Sequence, residues 1–295
     1  MTNTLQSHIE FCLSEVFSKH VTIKSTTAIG GGCINHSMKL ECNVGTYFLK
    51  WNNQGPTDLF LREAESLQTL RTASTGLIIP AVITATKITK DSAGLIVMEL
   101  LKVDSTNSIE KDEQLGVGLA QLHQNTNTLF GFNNDNYCGE TLQNNQWCEN
   151  WIEFFGQQRI WYLVKLIQKR RGMTVKDQKV YARFVEALFN IIPQNPTASL
   201  THGDLWSGNY LYTVNGSALI DPACSYADRE CDLALMKMFG GFSEVVWSAY
   251  NNVSPILGNL QERLEVYQLY HYLNHYYLFG GHYGQKSLSI AVKYL

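Results

Sequence analysis

The stretch Thr201-His202-Gly203-Asp204-Leu205-Trp206-Ser207-Gly208-Asn209, followed by the apolar run Ala218-Leu219-Ile220 ending in Asp221, sets a carboxylate, a carboxamide and a second carboxylate in fixed order. His-Gly-Asp and Ser-Gly-Asn are each good turn chemistry, and either alone reads as a turn. Together, with Asp204 and Asn209 five residues apart and a strand-like run delivering Asp221, they follow the order in which phosphoryl transfer uses such groups. One carboxylate faces an acceptor hydroxyl; an amide oxygen and a second carboxylate hold a divalent cation against nucleotide phosphates. On this reading Asp204 is the base or orienting group, and Asn209 and Asp221 hold Mg2+ beside ATP.

The upstream residues supply the remaining parts. Residues 28–51 parse as a turn at Gly30-Gly31-Gly32, a strand, an Asn43-Val44-Gly45 turn and a second strand. A glycine triplet by itself is more often a hairpin bend than a phosphate cradle, where backbone amides approach anionic oxygens closely. Lys50 shifts the balance, because it is a lone cation among Tyr47, Phe48, Leu49 and Trp51, one hairpin after the glycines. The spacing of Phe60, Glu63, Leu67 and Leu70 predicts a helix with Glu63 on its apolar face and Arg62 and Glu65 elsewhere. A carboxylate at the rim of that face is solvated; one turned inward needs a cation, and Lys50 is the candidate.

The chain has 295 residues, 45% hydrophobic and 17% charged, enough for a sizeable core and two lobes. A net charge of −3 with no basic run gives no footprint for nucleic acid. Seven scattered cysteines without a Cys-x-x-Cys pair fit a reducing, cytoplasmic setting and exclude a zinc ribbon. The N-terminal segment, interrupted by Glu10 and Glu15, reads as an amphipathic helix, and no apolar run of about eighteen residues exists to cross a membrane.

Strand-like runs and one helix fill the first hundred residues, up to Gly94-Leu95-Ile96-Val97-Met98, with a hinge at Glu99, Leu100 and Leu101. From Asp112 helical periodicity dominates, marked by Leu115, Leu119 and Leu122 and then by Trp151, Phe154 and Phe155, interrupted only over 199–221. The expected fold is α+β and bilobal, protein-kinase-like: a small β-rich N-lobe (1–101) and a larger, mainly helical C-lobe (102–295). Two departures separate the chain from regulated protein kinases: Gly203 stands where an arginine reads activation-loop phosphate, and Asp221-Pro222-Ala223 replaces Asp-Phe-Gly. No Ala-Pro-Glu follows, so the expectation is a kinase of small molecules without that switch.

His-Gly-Asp-Leu-Trp-Ser-Gly-Asn, the segment from Ile220 through Asp228-Arg229-Glu230 to Ala234, the glycine turn and Lys50 resemble the fructosamine kinase (ketosamine-3-kinase) family, within the wider aminoglycoside-phosphotransferase-like group. Phe130-Gly131-Phe132, Asp135-Asn136, Trp147, Trp151 and the closing run 278–284 extend the similarity over nearly the whole chain. The resemblance implies ATP-dependent phosphorylation of the sugar 3-hydroxyl in ketosamines, free or protein-bound. It further implies that Lys50, oriented by Glu63, contacts the α- and β-phosphates while Gly30, Gly31 and Gly32 close over them, and that hinge backbone around Glu99 and Leu101 meets adenine. The alternatives are an aminoglycoside- or choline-type phosphotransferase and a non-catalytic nucleotide-binding scaffold. No residue pattern fixes an oligomeric state.

Other residues carry two readings. Trp206 is a platform for a sugar face or a core aromatic. Asp232 is expected to brace the catalytic loop through backbone N–H groups, and His202 to be a buried, satisfied histidine. The run Tyr267, Tyr270, His271, Tyr272, His275, Tyr276 and Tyr277 reads as core and pocket wall, because no carboxylate accompanies it in sequence. Cys33, after the three glycines, is either a reactive thiol or an inert filler.

Overall fold

A computed structural model describes residues 2–295 except 31–34, 75, 105, 107, 257 and 259. Helix α1 (Asn3–Phe17) begins at Thr2, whose hydroxyl accepts from Leu5 N–H, and buries Leu5, Ile9 and Leu13 at intervals of four. Strands β1 (Ile23–Ala28), β2 (His36–Cys42), β3 (Gly45–Asn52), β4 (Val82–Ala85) and β5 (Gly94–Glu99) form one antiparallel sheet in the order β1-β2-β3-β5-β4. The two-residue side-chain period sorts this sheet into two faces. Leu49, Leu95 and Val97 pack with Leu5, Ile9 and Leu13 under α1, whereas Ile96 and Met98 join the opposite core with Phe60, Leu67 and Leu70 of α2 (Leu59–Ala73). Lys50, one residue after Leu49, therefore points to the α2 side.

The rest is mainly helical, as expected. Helix α3 (Ile109–Leu122) buries Leu115, Leu119 and Leu122 and packs against α8 (Glu244–Val253). At Gly116 a Cβ would lie 2.3 Å from the Val246 carbonyl, so glycine permits this close helix approach. A helical rod runs from α4 (Trp151–Glu153) through an eight-residue π-helical segment, Phe154–Trp161, into α5 (Tyr162–Arg171). Helices α6 (Val175–Ala187), α7 (Glu230–Phe239), α9 (Leu260–Phe279) and α10 (Tyr283–Lys293) complete the bundle.

Helical periodicity after Asp112 is interrupted more often than the sequence predicts. Besides β9 (Ala198–Thr201), β10 (Tyr210–Thr213) and β11 (Gly216–Leu219), short strands occur at β6 (Thr126–Asn127), β7 (Asn136–Cys138), β8 (Thr141–Gln143) and β12 (Ser225–Ala227). Strands of two or three residues are too short to show a period. The β12-β9-β6 sheet sets Thr201 opposite Ser225, and the β10-β11 hairpin returns the chain to Asp221. No helix among the described residues is long and apolar enough to cross a membrane.

Candidate active site

Gly203 makes the turn that presents Asp204. Its φ is +82°, and a Cβ there would meet the Ala223 carbonyl oxygen at 1.9 Å, so no other residue fits without moving that segment. Asp232, on α7 and buried, accepts from the backbone N–H of His202 (2.7 Å) and Gly203 (2.9 Å) and pairs with His123 Nε2 at 3.2 Å. The bracing expected of Asp232 is present, with His123 as a partner that nothing in the sequence singled out. His202 is buried: its Nε2 donates to Ile220 O at 2.9 Å and its Nδ1 accepts from Asp204 N–H at 3.3 Å. It ties the Asp204 turn to the strand end that carries Asp221. Burial pushes its pKa down, which keeps the ring neutral for this paired role.

Asn209 Nδ2 donates to Asp204 O at 2.7 Å and to Asp204 Oδ2 at 3.3 Å, which orients its Oδ1 away from Asp204. Asp221 has φ +57°, a left-handed conformation uncommon outside glycine and tolerated best by short polar residues such as Asp and Asn. Lys50 Nζ donates to Glu63 Oε1 at 2.8 Å and also contacts Asp221 Oδ1. The side chains of Lys50 and Glu63 are 8% and 11% exposed, so this is a desolvated pair. Burial alone would lower the Lys50 pKa; the charges of Asp221 and Glu63 outweigh it and raise the value. Burial raises the Glu63 carboxyl, and Lys50 opposes it.

Asp204 is half-buried, and its pKa is pushed up to about 7, first by desolvation and then by the negative charge of Asp221. A carboxyl held near neutrality can take up a proton and release it again. An Asn oxygen and a carboxylate, brought next to a lysine on the opposite sheet, form the hard oxygen set that suits Mg2+.

The other predicted residues lie as follows. Gly30 is exposed, with no heavy atom within 4 Å of its Cβ position, while Gly31, Gly32 and Cys33 lie outside the described residues. Asn35 and His36 are described: Asn35 Oδ1 accepts from Asn52 Nδ2 at 3.1 Å, and the His36 ring stacks on Trp51 at 4.3 Å. Glu99 N–H donates to Ala81 O at 2.8 Å, so hinge recognition of adenine has to use other backbone groups there. Trp206 is 39% exposed, lies over Gly208 and meets Phe239 edge-on at 6.1 Å. It is not a core residue.

Three features of the site escaped the sequence. His271, read there as wall without a carboxylate, lies beside Asp204 together with Cys138. Arg159, buried on the π-helical segment, donates to Asn144 O and to Asn145 Oδ1 at 2.6 Å each. A small cavity of about 30 Å³ is bordered by Arg159, Tyr270, His271, Gly203 and Asp232. Only the Phe154-Phe155 pair marked this segment in sequence, as the start of an ordinary helix; a π-bulge leaves no periodic signal of its own.

Comparison with known proteins follows the same lines. A family model described as fructosamine kinase matches residues 5–295. A protein of Vibrio parahaemolyticus named probable ketoamine kinase is 40% identical over 93% of this chain and 94% of its own length. The chloroplastic protein-ribulosamine 3-kinase of Arabidopsis thaliana is 35% identical over 97% of this chain and 86% of its own. A solved structure from Thermobifida fusca, a candidate fructosamine-3-kinase, superposes with TM-score 0.85 at 27% identity, over 100% of this chain and 99% of that one. Aminoglycoside phosphotransferase APH(4)-Ia shares the fold at TM-score 0.62 and 14% identity, over 97% of this chain and 98% of that one.

Proposed function

Because this chain belongs to the fructosamine kinase family, we propose that it phosphorylates the sugar 3-hydroxyl of ketosamines, free or carried on a protein amine, using ATP and Mg2+. The contacts that bring Lys50, Glu63, Asp204, Asn209 and Asp221 together support this reading best. Asp204 orients the acceptor hydroxyl and takes its proton as the ester bond forms. Asn209 through Oδ1 and Asp221 through its carboxylate hold magnesium, which supplies charge neutralisation at the phosphates when bound. Lys50, kept in place by Glu63, contacts the α- and β-phosphates, the loop of Gly30, Gly31 and Gly32 closes over them, and Trp206 offers its exposed face to the sugar. In this scheme residues 1–101 form the nucleotide lobe, with adenine at the backbone around Glu99 and Leu101, and residues 102–295 the catalytic lobe. A reducing, cytoplasmic setting completes the reading, in keeping with the free thiols at Cys12, Cys42, Cys138, Cys148, Cys224 and Cys231.

The test is a phosphorylation panel with magnesium and ATP. Fructose-, ribulose- and erythrulose-derived amines should be turned over faster than kanamycin, choline or a serine peptide. Preference for kanamycin would move the chain to the aminoglycoside class, and absence of any turnover would leave a nucleotide-binding scaffold.

A further inference from the structure

Cys138 ends β7, Asp204 follows β9 and His271 lies within α9, yet one ligand atom of each sits within 4.8 Å of the other two. Sulfur, oxygen and nitrogen donors from three distant parts of the chain thus meet at one point. Cys138 and His271 are 3% and 4% exposed, and half-buried Asp204 opens the cluster to solvent. Nδ1 of His271 has no hydrogen-bond partner among the described residues, an unusual state for a buried polar atom. Asn274 Nδ2 donates to Cys138 Sγ at 3.2 Å, the kind of outer contact that orients a sulfur ligand.

We propose that Cys138, Asp204 and His271 form a site for a thiophilic divalent cation, zinc, separate from the magnesium position at Asn209 and Asp221, and that zinc bound there withdraws Asp204 from catalysis. Zinc takes thiolate, imidazole and carboxylate ligands at about 2.0–2.3 Å and, in three-ligand sites, a water in the fourth position. Tetrahedral bonds of that length set ligand atoms roughly 3.3–3.8 Å apart, so these donors need to close in by about 1 Å, within reach of side-chain rotation. The thiol proton passes to solvent as sulfur takes the metal, and the imidazole supplies a lone pair without losing a proton. Magnesium, which demands oxygen ligands, is a poor competitor here. Metal binding at this point is independent of the proposed reaction; the inhibitory consequence rests on Asp204 as the acceptor-facing carboxylate.

Cobalt(II) titrated into the full chain without nucleotide should give a thiolate-to-cobalt charge-transfer band that saturates at one equivalent and is erased by zinc. Cys138→Ser and His271→Gln, each checked for a cooperative thermal transition, should lose the band. Cys12→Ser should keep it, although Cys12 lies 3.9 Å from His8 and is the competing Cys–His pair. With saturating magnesium and ATP, buffered zinc should inhibit the wild type, and each of the two ligand variants should need at least about tenfold more zinc, judged against its own zinc-free rate. A band that survives Cys138→Ser or vanishes in Cys12→Ser overturns the site. A band lost in both ligand variants alongside a wild type that zinc leaves fully active overturns the inhibitory role, and counts against Asp204 as the acceptor-facing group.

Discussion

Asp204 carries the sharpest consequences at the scale of single residues. Asp204→Asn should retain nucleotide binding while lowering kcat by roughly 10²–10⁴, the usual contribution of a positioned acid or base; turnover at the wild-type rate would remove Asp204 from the mechanism. The carboxyl is raised from its ordinary value to about 7, so the folded state holds a proton that the unfolded chain has released. Its ionisation therefore costs stability as pH rises from about 4 to 7, a cost absent at lower pH. Asp204→Asn should accordingly raise Tm at pH 8 and leave it unchanged at pH 4, at about 2–4 °C for each kcal/mol relieved. In the proposed role of base Asp204 has to be ionised, so kcat/KM should climb with pH through about 7 and then level off. Asp221 is the second cause of the raised value, so Asp221→Asn should move that ascending limb to lower pH while weakening magnesium-dependent nucleotide binding. Steady-state pH profiles and magnesium titrations check both effects; an unmoved limb would remove Asp221 as a cause of the raised Asp204 pKa.

At the scale of elements, legibility followed period and spacing. The β2-turn-β3 hairpin was readable because apolar residues flank an Asn-Val-Gly turn, and the inward face of α2 because Phe60, Leu67 and Leu70 fall at helical intervals. The sequence offered no comparable signal for β6, β7, β8 and β12, for the π-helical segment, or for the meeting of Cys138 with His271, since each depends on contacts made across the folded chain. Asp232 was legible as a brace, but its partner His123 was not, because 109 residues separate them. The brace is testable. Asp232→Ala leaves two loop N–H groups without an acceptor, at about 1–3 kcal/mol each, and leaves Nε2 of buried His123 without its partner. Urea unfolding should show a loss of about that size, and Asp232→Asn, which keeps one acceptor oxygen, should recover part of it.

Across the whole molecule, the segment Asp228-Arg229-Glu230 fastens helices through the following hydrogen bonds. Glu230 takes two hydrogen bonds of 2.7 Å from Arg263 on α9, Asp228 accepts from Tyr267 OH at 2.6 Å, and Arg229 Nη1 donates to Ser254 O at 3.0 Å. The part of the family resemblance carried by these three residues thus reports on how the helical region is assembled. Arg263→Ala strands a largely buried carboxylate and should cost about 3–5 kcal/mol in chemical denaturation. Its kcat below the transition should stay near wild type; a large loss there would give this segment a part in the chemistry after all. Gly203 has a reach of another kind. The Ala223 carbonyl fills the space where any side chain at this position would begin, and the backbone there is left-handed. A lineage carrying this turn cannot acquire a phosphate-reading arginine at position 203 by one codon change without dismantling the loop that presents Asp204. That evolutionary route to control by phosphorylation is closed, and any control of the enzyme has to enter elsewhere in the chain.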